Sequence, residues 1–472
     1  LLIPEYLLGG LAVLIIVVDL MFPKVKKDAL PLLTAAGLAG VFIVSLLYVD
    51  TEDNFAGLIV IDDYTTFFRC FFVATTFAVV VASWQYVQKR LRNPGEYYAL
   101  LVLSTAGATI MASAQELLTA YIGLELLSFS LYILVSYAKN EERSVEAGMK
   151  YLLLGAFASA LLLYGISFIY GASGSTTYSE ISAAFESGTR GFELGTLIGL
   201  TLIIAGLGFK VAAVPFHMWT PDAYEGAPLP ITAYLSATSK AAGFALLLRL
   251  FSGALMPVID DWQFMIAALA AITMLVGNLV ALQQHNIKRL LAYSSIGQVG
   301  YMLMGITALS PEVTSALLLH MVGYVITNVA VFTALIAYNN QTDVEEISDF
   351  RGMSDRAPLL AAVTAVALFS LAGMPLFAGF LTKFVFFQSV AEADYYWLAA
   401  VAVVASFISL YYYLVVMKAI YVLPATETTR LRVPLVMQGT VVLLALGVFF
   451  VGLYPQPIFD LTDSVSAVLF AS

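Results

Sequence analysis

Four charged residues, Glu125, Lys210, Lys240 and Lys383, sit deep inside apolar stretches of this 472-residue chain. Insertion scales put a lysine, arginine or aspartate at the centre of a membrane helix at about 2.5 to 3.5 kcal/mol. Together the four represent a burden on the order of 10 kcal/mol that must be offset. Titratable groups at that depth suit one chemistry above others, the passage of protons. Burial disfavours a charged ammonium and a neighbouring carboxylate favours it, so a lysine near a glutamate can take up or release a proton as the two approach or part. On this reading Glu125 approaches Lys210, and its withdrawal ejects the Lys210 proton toward Lys240 and then Lys383.

The four are not isolated polar points. Tyr121, Glu125, Ser128 and Tyr132 recur at helical spacing and share one face. Thr232, Ser236 and Lys240 repeat the device, as do Ser294, Gln298 and Tyr301, and His320, Tyr324 and Thr327. For any single stripe the alternative is that hydroxyls merely hydrogen-bond helices together, which leaves the four deep charges unexplained. His217, in VPFHMWTPDAYEGAP, is either a proton feed or a structural residue, and His320 either a relay or a helix–helix contact. His285, beside Lys288 and Arg289, reads as a solvated loop residue, and Lys150 as an interfacial partner of Glu146. Arg69 and Arg249 lie within a turn or two of a span end, where long side chains are expected to snorkel to the interface.

The elements that must hold these groups are membrane helices. Hydrophobic residues make up 61% of the chain and charged residues 11%, with a mean hydropathy of +0.90, far from a soluble composition. At about 20 apolar residues per crossing, an all-α polytopic fold of about fourteen segments is expected. They fall near 4–22, 30–49, 62–86, 96–113, 115–137, 147–170, 193–218, 228–252, 262–283, 287–308, 313–339, 357–390, 395–421 and 433–454. The first reads as a transmembrane helix and not as a cleaved signal, since no basic stretch precedes it.

Positive charge is one-sided. The odd-numbered loops hold Lys24, Lys26, Lys27, Lys89, Arg90, Arg92, Lys139, Arg143, Lys150, Lys288, Arg289, Arg351, Arg356, Lys418, Arg430 and Arg432, and the even-numbered loops hold Arg190 alone. The positive-inside rule then places both termini on the outer side.

Two segments carry the residues of interrupted helices. Segment 7 has Gly206, Gly208, Lys210 and Pro215; segment 12 has Gly373, Pro375, Gly379 and Lys383. Proline removes a backbone donor and clashes with the preceding turn, so both should break and expose carbonyls near a lysine. Two such breaks five segments apart suggest a duplicated unit, as in carriers built from repeats. The lysine precedes Pro215 but follows Pro375, so the repeat is imperfect.

Other chemistries are excluded or left without residues. The single cysteine, Cys70, rules out an intrachain disulfide, a Cys-ligated iron–sulfur cluster and a structural zinc site. Three histidines are too few and too scattered for paired haem ligands, and neither GxGxxG nor a Walker A sequence is present. No cofactor or metal is therefore expected on this chain. The net charge of −10 without a basic block argues against nucleic acid.

Five stretches carry a family resemblance: YIGLELLSFSLYIL (121–134), EAGMKYLLLGAFASALLLYGISFIYGASGST (146–176), GLGFKVAAVPFHMWTPDAYEGAPLPITAYLSATSKAAGF (206–244), NIKRLLAYSSIGQVGYMLMG (286–305) and GMPLFAGFLTKF (373–384). They resemble the antiporter-like membrane subunits of respiratory complex I, over nearly the whole chain. The resemblance implies fourteen helices and two inverted five-helix repeats. The expected divisions are an N-terminal three-helix segment (1–95), a first repeat (96–255), a second repeat (256–425) and a C-terminal helix and tail (426–472). It implies a proton-translocating role through Glu125, Lys210, Lys240 and Lys383, with no redox centre here. NADH, FMN, iron–sulfur clusters and quinone would belong to partner subunits. Expected partners are the neighbouring antiporter-like subunit, the small subunits toward the quinone end and the lipid bilayer, with the bacterial cell membrane as the location.

Within the family, one branch usually has a glutamate where this chain has Lys383, and another continues into a long amphipathic helix. This sequence runs about eighteen residues past segment 14 and resembles the third branch. Similar subunits serve multisubunit sodium/proton antiporters and membrane-bound hydrogenases, which form the alternative reading. A stand-alone solute carrier and a purely structural subunit are the remaining classes. Replacing Lys383 with alanine should impair proton pumping more than assembly; a complex that falls apart instead would favour the structural class.

Overall fold

The computed structural model describes residues 2–22, 29–188, 193–425, 427 and 429–470. The loop charges Lys24, Lys26, Lys27 and Arg190 lie outside the described residues. The chain opens with α1 (Ile3–Met21) and α2 (Ala29–Leu46), then a small antiparallel hairpin, β1 (Asp53–Phe55) and β2 (Ile59–Ile61). Next come α3 (Asp63–Arg90), α4 (Pro94–Ser113), α5 (Leu117–Val135), α6 (Glu142–Ser173) and the short α7 (Tyr178–Glu186). They are followed by α8 (Glu193–Val211), α9 (Trp219–Gly226), α10 (Leu229–Tyr234), a π turn (Leu235–Ser239) and α11 (Lys240–Gly253). The second half holds α12 (Ile259–Ala281), α13 (Ile287–Thr307), α14 (Pro311–Thr342), α15 (Met353–Arg356), α16 (Pro358–Ala372), α17 (Ala378–Glu392), α18 (Tyr396–Tyr421), α19 (Leu435–Leu453) and α20 (Gln456–Val468).

Eleven helical stretches among the described residues are long and apolar enough to cross a bilayer, counting Leu229–Gly253 as one. The chain is a multi-pass integral membrane protein. Of the three further expected segments, α4 and α13 are long enough but rich in Ser, Thr, Gly and Tyr, and the third is divided between α16 and α17. Helix starts follow capping chemistry. Asp62 accepts from the Thr65 N–H at 2.7 Å to open α3, and Ser310 accepts from Val313 N–H at 3.2 Å ahead of Pro311 to open α14.

Burial orders the bundle. The apolar window of Leu229–Gly253 is wholly buried and that of α14 is 94% buried, against 28% for α1 and 22% for α19. Two central helical columns thus carry Lys240 and His320, and the helices at the margin face lipid or partners. The loops sort into two ends. At one, Lys288 pairs with Glu345 and Arg90 with Asp343, each at 2.7 Å. At the other, bridges join Ile59 to Ala114 and Glu116 to Thr177. The odd-numbered loops represented in those ion pairs share the first end, in keeping with their common positive charge.

Arg69 and Arg249 do not snorkel. Arg249 is buried, donates through two nitrogens to Asp62 at 2.8 and 2.9 Å and through Nε to the Ala112 carbonyl at 2.6 Å, and lies 4.5 Å over the Tyr64 ring. Arg69 is fully buried and pairs with Glu5 at 2.7 Å. Each guanidinium finds a carboxylate from a distant part of the chain before it could reach water. Burial alone would push the Asp62 carboxyl up, but Arg249 and the Thr65 N–H more than reverse this and hold it below its usual range. Its share of stability is present above the ordinary carboxylate range and lost only as pH falls through that depressed value. Asp62→Asn should cost about 3 to 5 kcal/mol, because it strands a buried guanidinium. The check is denaturant stability of the detergent-solubilised protein, and a loss under 1 kcal/mol would show the pair to be dispensable.

Candidate functional site

Both expected breaks are present. α8 ends one residue after Lys210; residues 212–218 are not helical, with Ala212 at φ 69° and a cis Val214–Pro215 bond, before α9 begins. α16 ends at Ala372, Gly373 and Leu376 take positive φ around Pro375, and α17 opens five residues before Lys383. Interruption leaves terminal carbonyls needing donors, and the two breaks answer differently. At the first, the Trp219 indole N–H donates to the Phe209 carbonyl at 2.9 Å while its ring stacks on Tyr151 at 4.3 Å. The Val214 N–H donates to Thr273 Oγ1 of α12 at 3.0 Å. At the second, the Lys383 ammonium itself donates to the Leu371 carbonyl at 2.8 Å and to Ser406 Oγ at 3.4 Å, 5.1 Å from the Tyr301 ring centre.

Glu125 and Lys210 are brought together without a direct ion pair. Lys210 Nζ donates to Ser128 Oγ at 2.9 Å, one turn along α5 from Glu125, while Glu125 is half-buried and accepts from Ser159 of α6. The expected α5 face is therefore real: Glu125 and Ser128 both use it. Lys210 also lies across Gly243 of α11, where an added Cβ would meet its Cγ at 3.6 Å. Gly243 follows Lys240 by three residues, one helical turn.

Lys240 is buried, and its ammonium has no hydrogen-bond partner; the Tyr224 ring centre is 5.8 Å away. The Thr232, Ser236 and Lys240 stripe needs correction. The π turn inserts about one residue per turn relative to α spacing, so Lys240 is rotated off the face its numbering implies. Thr232 donates instead to the Tyr224 carbonyl at 2.9 Å and Ser236 to Ala233 at 2.8 Å. Tyr224 Oη then lies 3.4 Å from Ser295 Oγ, and Ser295 Oγ 2.7 Å from Tyr324 Oη. From the far side, Asn278 Nδ2 reaches Tyr301 Oη at 3.5 Å and Tyr412 Oη donates to Asn278 Oδ1 at 2.9 Å. Ser294 joins Tyr413. Ser294 and Ser295, consecutive on α13, belong one to each string.

The histidines separate. His320 is buried on α14, its Nδ1 3.1 Å from Thr382 Oγ1 and its ring stacked on Phe386, beside Lys383. His217 is buried in the first break, with Nδ1 unpartnered and its ring edge toward Tyr293. His285 is exposed, as expected. Below His217, Asp222 and Glu225 of α9 form a charged mouth. Lys150 reaches Glu146 at 2.8 Å and Asp222 at 3.0 Å, and Arg289 reaches Asp222 at 2.8 Å and Glu225 at 2.9 Å. Sequence reasoning missed Asp222, Tyr224, Asn278, Tyr412 and Tyr413. Only Asp222 and Tyr224, in the motif after the proline, carried any local signal.

Among the described residues no group of three His, Cys, Asp or Glu converges as a metal site. What the arrangement offers is buried amines, one carboxylate, phenols and hydroxyls within hydrogen-bonding or ring-contact distance of one another.

A membrane bundle with two helices broken beside buried lysines is the architecture of antiporter-like subunits. Residues 114–409 match the family described as NADH:quinone oxidoreductase/Mrp antiporter, TM. The chain belongs to that family. It is 42% identical to NADH-quinone oxidoreductase subunit N of Moorella thermoacetica, over 99% of this chain and 98% of the relative. A chain of respiratory complex I from Thermus thermophilus superposes with a TM-score of 0.83 at 30% identity, covering 98% of this chain and all of that one. A chain of the Mrp complex from Dietzia sp. DQ12-45-1b superposes at 0.87 with 20% identity, over 100% of this chain and 98% of that one, a likeness of fold. The third branch expected from sequence is thus the subunit N group, and the chain is an antiporter-like subunit of a multisubunit membrane assembly.

One glycine makes the second break testable. A Cβ at Gly379 would land on the Ser370 carbonyl of α16, while the Gly379 N–H already donates to Ser370 Oγ at 3.0 Å. Gly379→Ala should cost about 1 to 3 kcal/mol through overpacking. Gly439→Ala, where nothing lies within 4 Å, should be nearly neutral. Thermal unfolding of the two purified variants compares them directly; equal shifts would refute the close approach.

Proposed function

We propose that this chain translocates protons within a complex I membrane arm, moving them laterally from Glu125 through Lys210 and Lys240 to Lys383. The observation that carries the reading is the placement of the Lys210 stem against Gly243, one turn from Lys240, with hydroxyl strings that begin at Tyr224 beside Lys240 and at Tyr301 beside Lys383. Each transfer moves a proton, not an electron. A protonated Glu125, or one turned away from Lys210, leaves the Lys210 ammonium without its counter-charge. The proton then has Lys240 as the next basic nitrogen, and the Tyr224–Ser295–Tyr324 hydroxyls as a path toward the second half. Lys383 receives it at the α16 break, where the Leu371 carbonyl favours the ammonium.

His217 supplies a proton from the charged mouth at Asp222, and His320 tunes or relays at Lys383. Asp222 stays ionised there. Burial would raise its carboxyl, but hydrogen bonds from Arg289 and Lys150 outweigh this and hold it below its ordinary range. Pro215 and Pro375 keep the broken helices interrupted next to the lysines.

The same reading takes α4, α13 and the α16–α17 pair as crossings that complete fourteen, with residues 96–255 and 256–425 as the two repeats. It sets both termini outside a bacterial cell membrane. As a non-redox subunit of a proton-pumping NADH:quinone oxidoreductase, the chain would draw its driving force from partners holding NADH, FMN, iron–sulfur clusters and quinone.

The deciding experiment tags the chain, extracts it in mild detergent and identifies its companions. Flavin and iron–sulfur subunits with donor:quinone activity support the proposal; antiporter subunits alone would move the assignment to the Mrp or hydrogenase type. In the assembled complex in vesicles, Lys210→Met should reduce proton pumping at least several-fold with the complex intact. Unchanged pumping by that variant would sink the relay.

A further inference from the structure

The geometry points to a pocket for the phosphate headgroup of an anionic phospholipid, lined by Arg90, Arg92, Asn93, Lys139 and Asn140. The site is independent of the relay and rests on the membrane-spanning fold and on the proposed orientation, which puts the positively charged loops in the cytoplasm. A cavity of about 390 Å³ opens between the α3–α4 turn and the α5–α6 turn, within the size of small-ligand sites. Three cations and two side-chain amides line it against one acid, Glu141.

The cations divide in duty. Arg90 is held by Asp343 at 2.7 Å and the Asn339 carbonyl at 3.0 Å, so its charge is largely matched and it contributes a fixed edge to the cavity. Arg92 is exposed with no partner among the described residues, and Lys139 is exposed with only the Tyr137 ring, 6.0 Å away. Both are free to close on an anion. Two long helices also begin at this cavity. Asn93 and Glu141 occupy the N-cap positions of α4 and α6, and neither side chain caps its helix. The first-turn N–H groups and the positive ends of two helix dipoles therefore add to the cationic field.

A lipid is favoured over a soluble phosphate by what flanks the cavity. It lies at the helix ends on the positively charged side, with exposed Ile133 in the last turn of α5 and exposed Val145 and Met149 about one and two turns into α6. A headgroup in the cavity would lay acyl chains along those side chains. Basic pockets at this depth on the cytoplasmic side are suited to acidic lipid headgroups.

The test uses the intact purified complex, stripped of lipid and titrated by native mass spectrometry with phosphatidylglycerol and, separately, phosphatidylcholine. Wild type should retain phosphatidylglycerol in preference, and Arg92→Gln/Lys139→Gln should weaken that retention roughly tenfold or more. Lys418→Gln, an exposed cation on the same side but outside the cavity, should leave it unchanged. Equal retention of the two lipids, or an equal effect of Lys418→Gln, would overturn the site. Displacement of the lipid by millimolar inorganic phosphate or glycerol 3-phosphate would reassign the pocket to a soluble phosphate. Should the double variant assemble poorly, the single variants carry the same comparison, each with a weakening of roughly threefold expected.

Discussion

Charge in a medium that cannot solvate it governs this molecule. Every ionised group buried between the helices must find a partner, a helix end or a use, and the architecture records how each does so. Arg249 and Arg69 find carboxylates. Lys210 finds the Ser128 hydroxyl, and Lys383 finds a carbonyl freed by a helix break. Lys240 finds only an aromatic ring. That gradation separates charges locked in ion pairs from amines held by neutral groups. A guanidinium locked bidentate to Asp62 cannot give up a proton, whereas an amine with weak or neutral partners can exist in either state at modest cost.

The broken helices follow from the same constraint. An intact helix satisfies its own backbone and offers a buried ammonium nothing, whereas a break releases backbone polarity that an ammonium can use. At α16 the released carbonyl goes to Lys383 directly. At α8 it goes to Trp219, and Lys210 relies on α5. The order of lysine and proline, reversed between the two segments, thus has a structural counterpart. Following the break puts Lys383 where it can fold back onto the preceding half-helix, while preceding the break points Lys210 toward its neighbours.

Much of this was legible in the chain. The apolar runs, the one-sided loop charge, the two glycine–proline interruptions and the α5 face containing Glu125 and Ser128 are local patterns with a helical or charge signature. The ion pairs were not legible, because Asp62 and Arg249 lie 187 positions apart and Asp62 reads locally as nothing more than an N-cap. The π turn was invisible for a different reason: LSATS carries no sequence mark of it, and α spacing assigned Lys240 to the wrong face. Tyr224, Asn278, Tyr412 and Tyr413 escaped because buried tyrosine and asparagine are ordinary helix-packing residues until their partners are known.

The unpartnered state of Lys240 gains meaning from its surroundings. Thr238, Ser239 and Thr220 hydroxyls and His217 Nδ1 are likewise buried without partners. An apolar core would not carry five unmatched polar atoms in neighbouring stretches of chain, since each costs on the order of 1 to 3 kcal/mol. Water would match them at little cost, for a buried water commonly makes about three hydrogen bonds to such groups. Hydration around Lys240 and His217 would also give the first break its purpose beyond exposing carbonyls. On the proposed relay, that stretch of unmatched polar atoms beside the charged Asp222 mouth is where protons would enter the bundle.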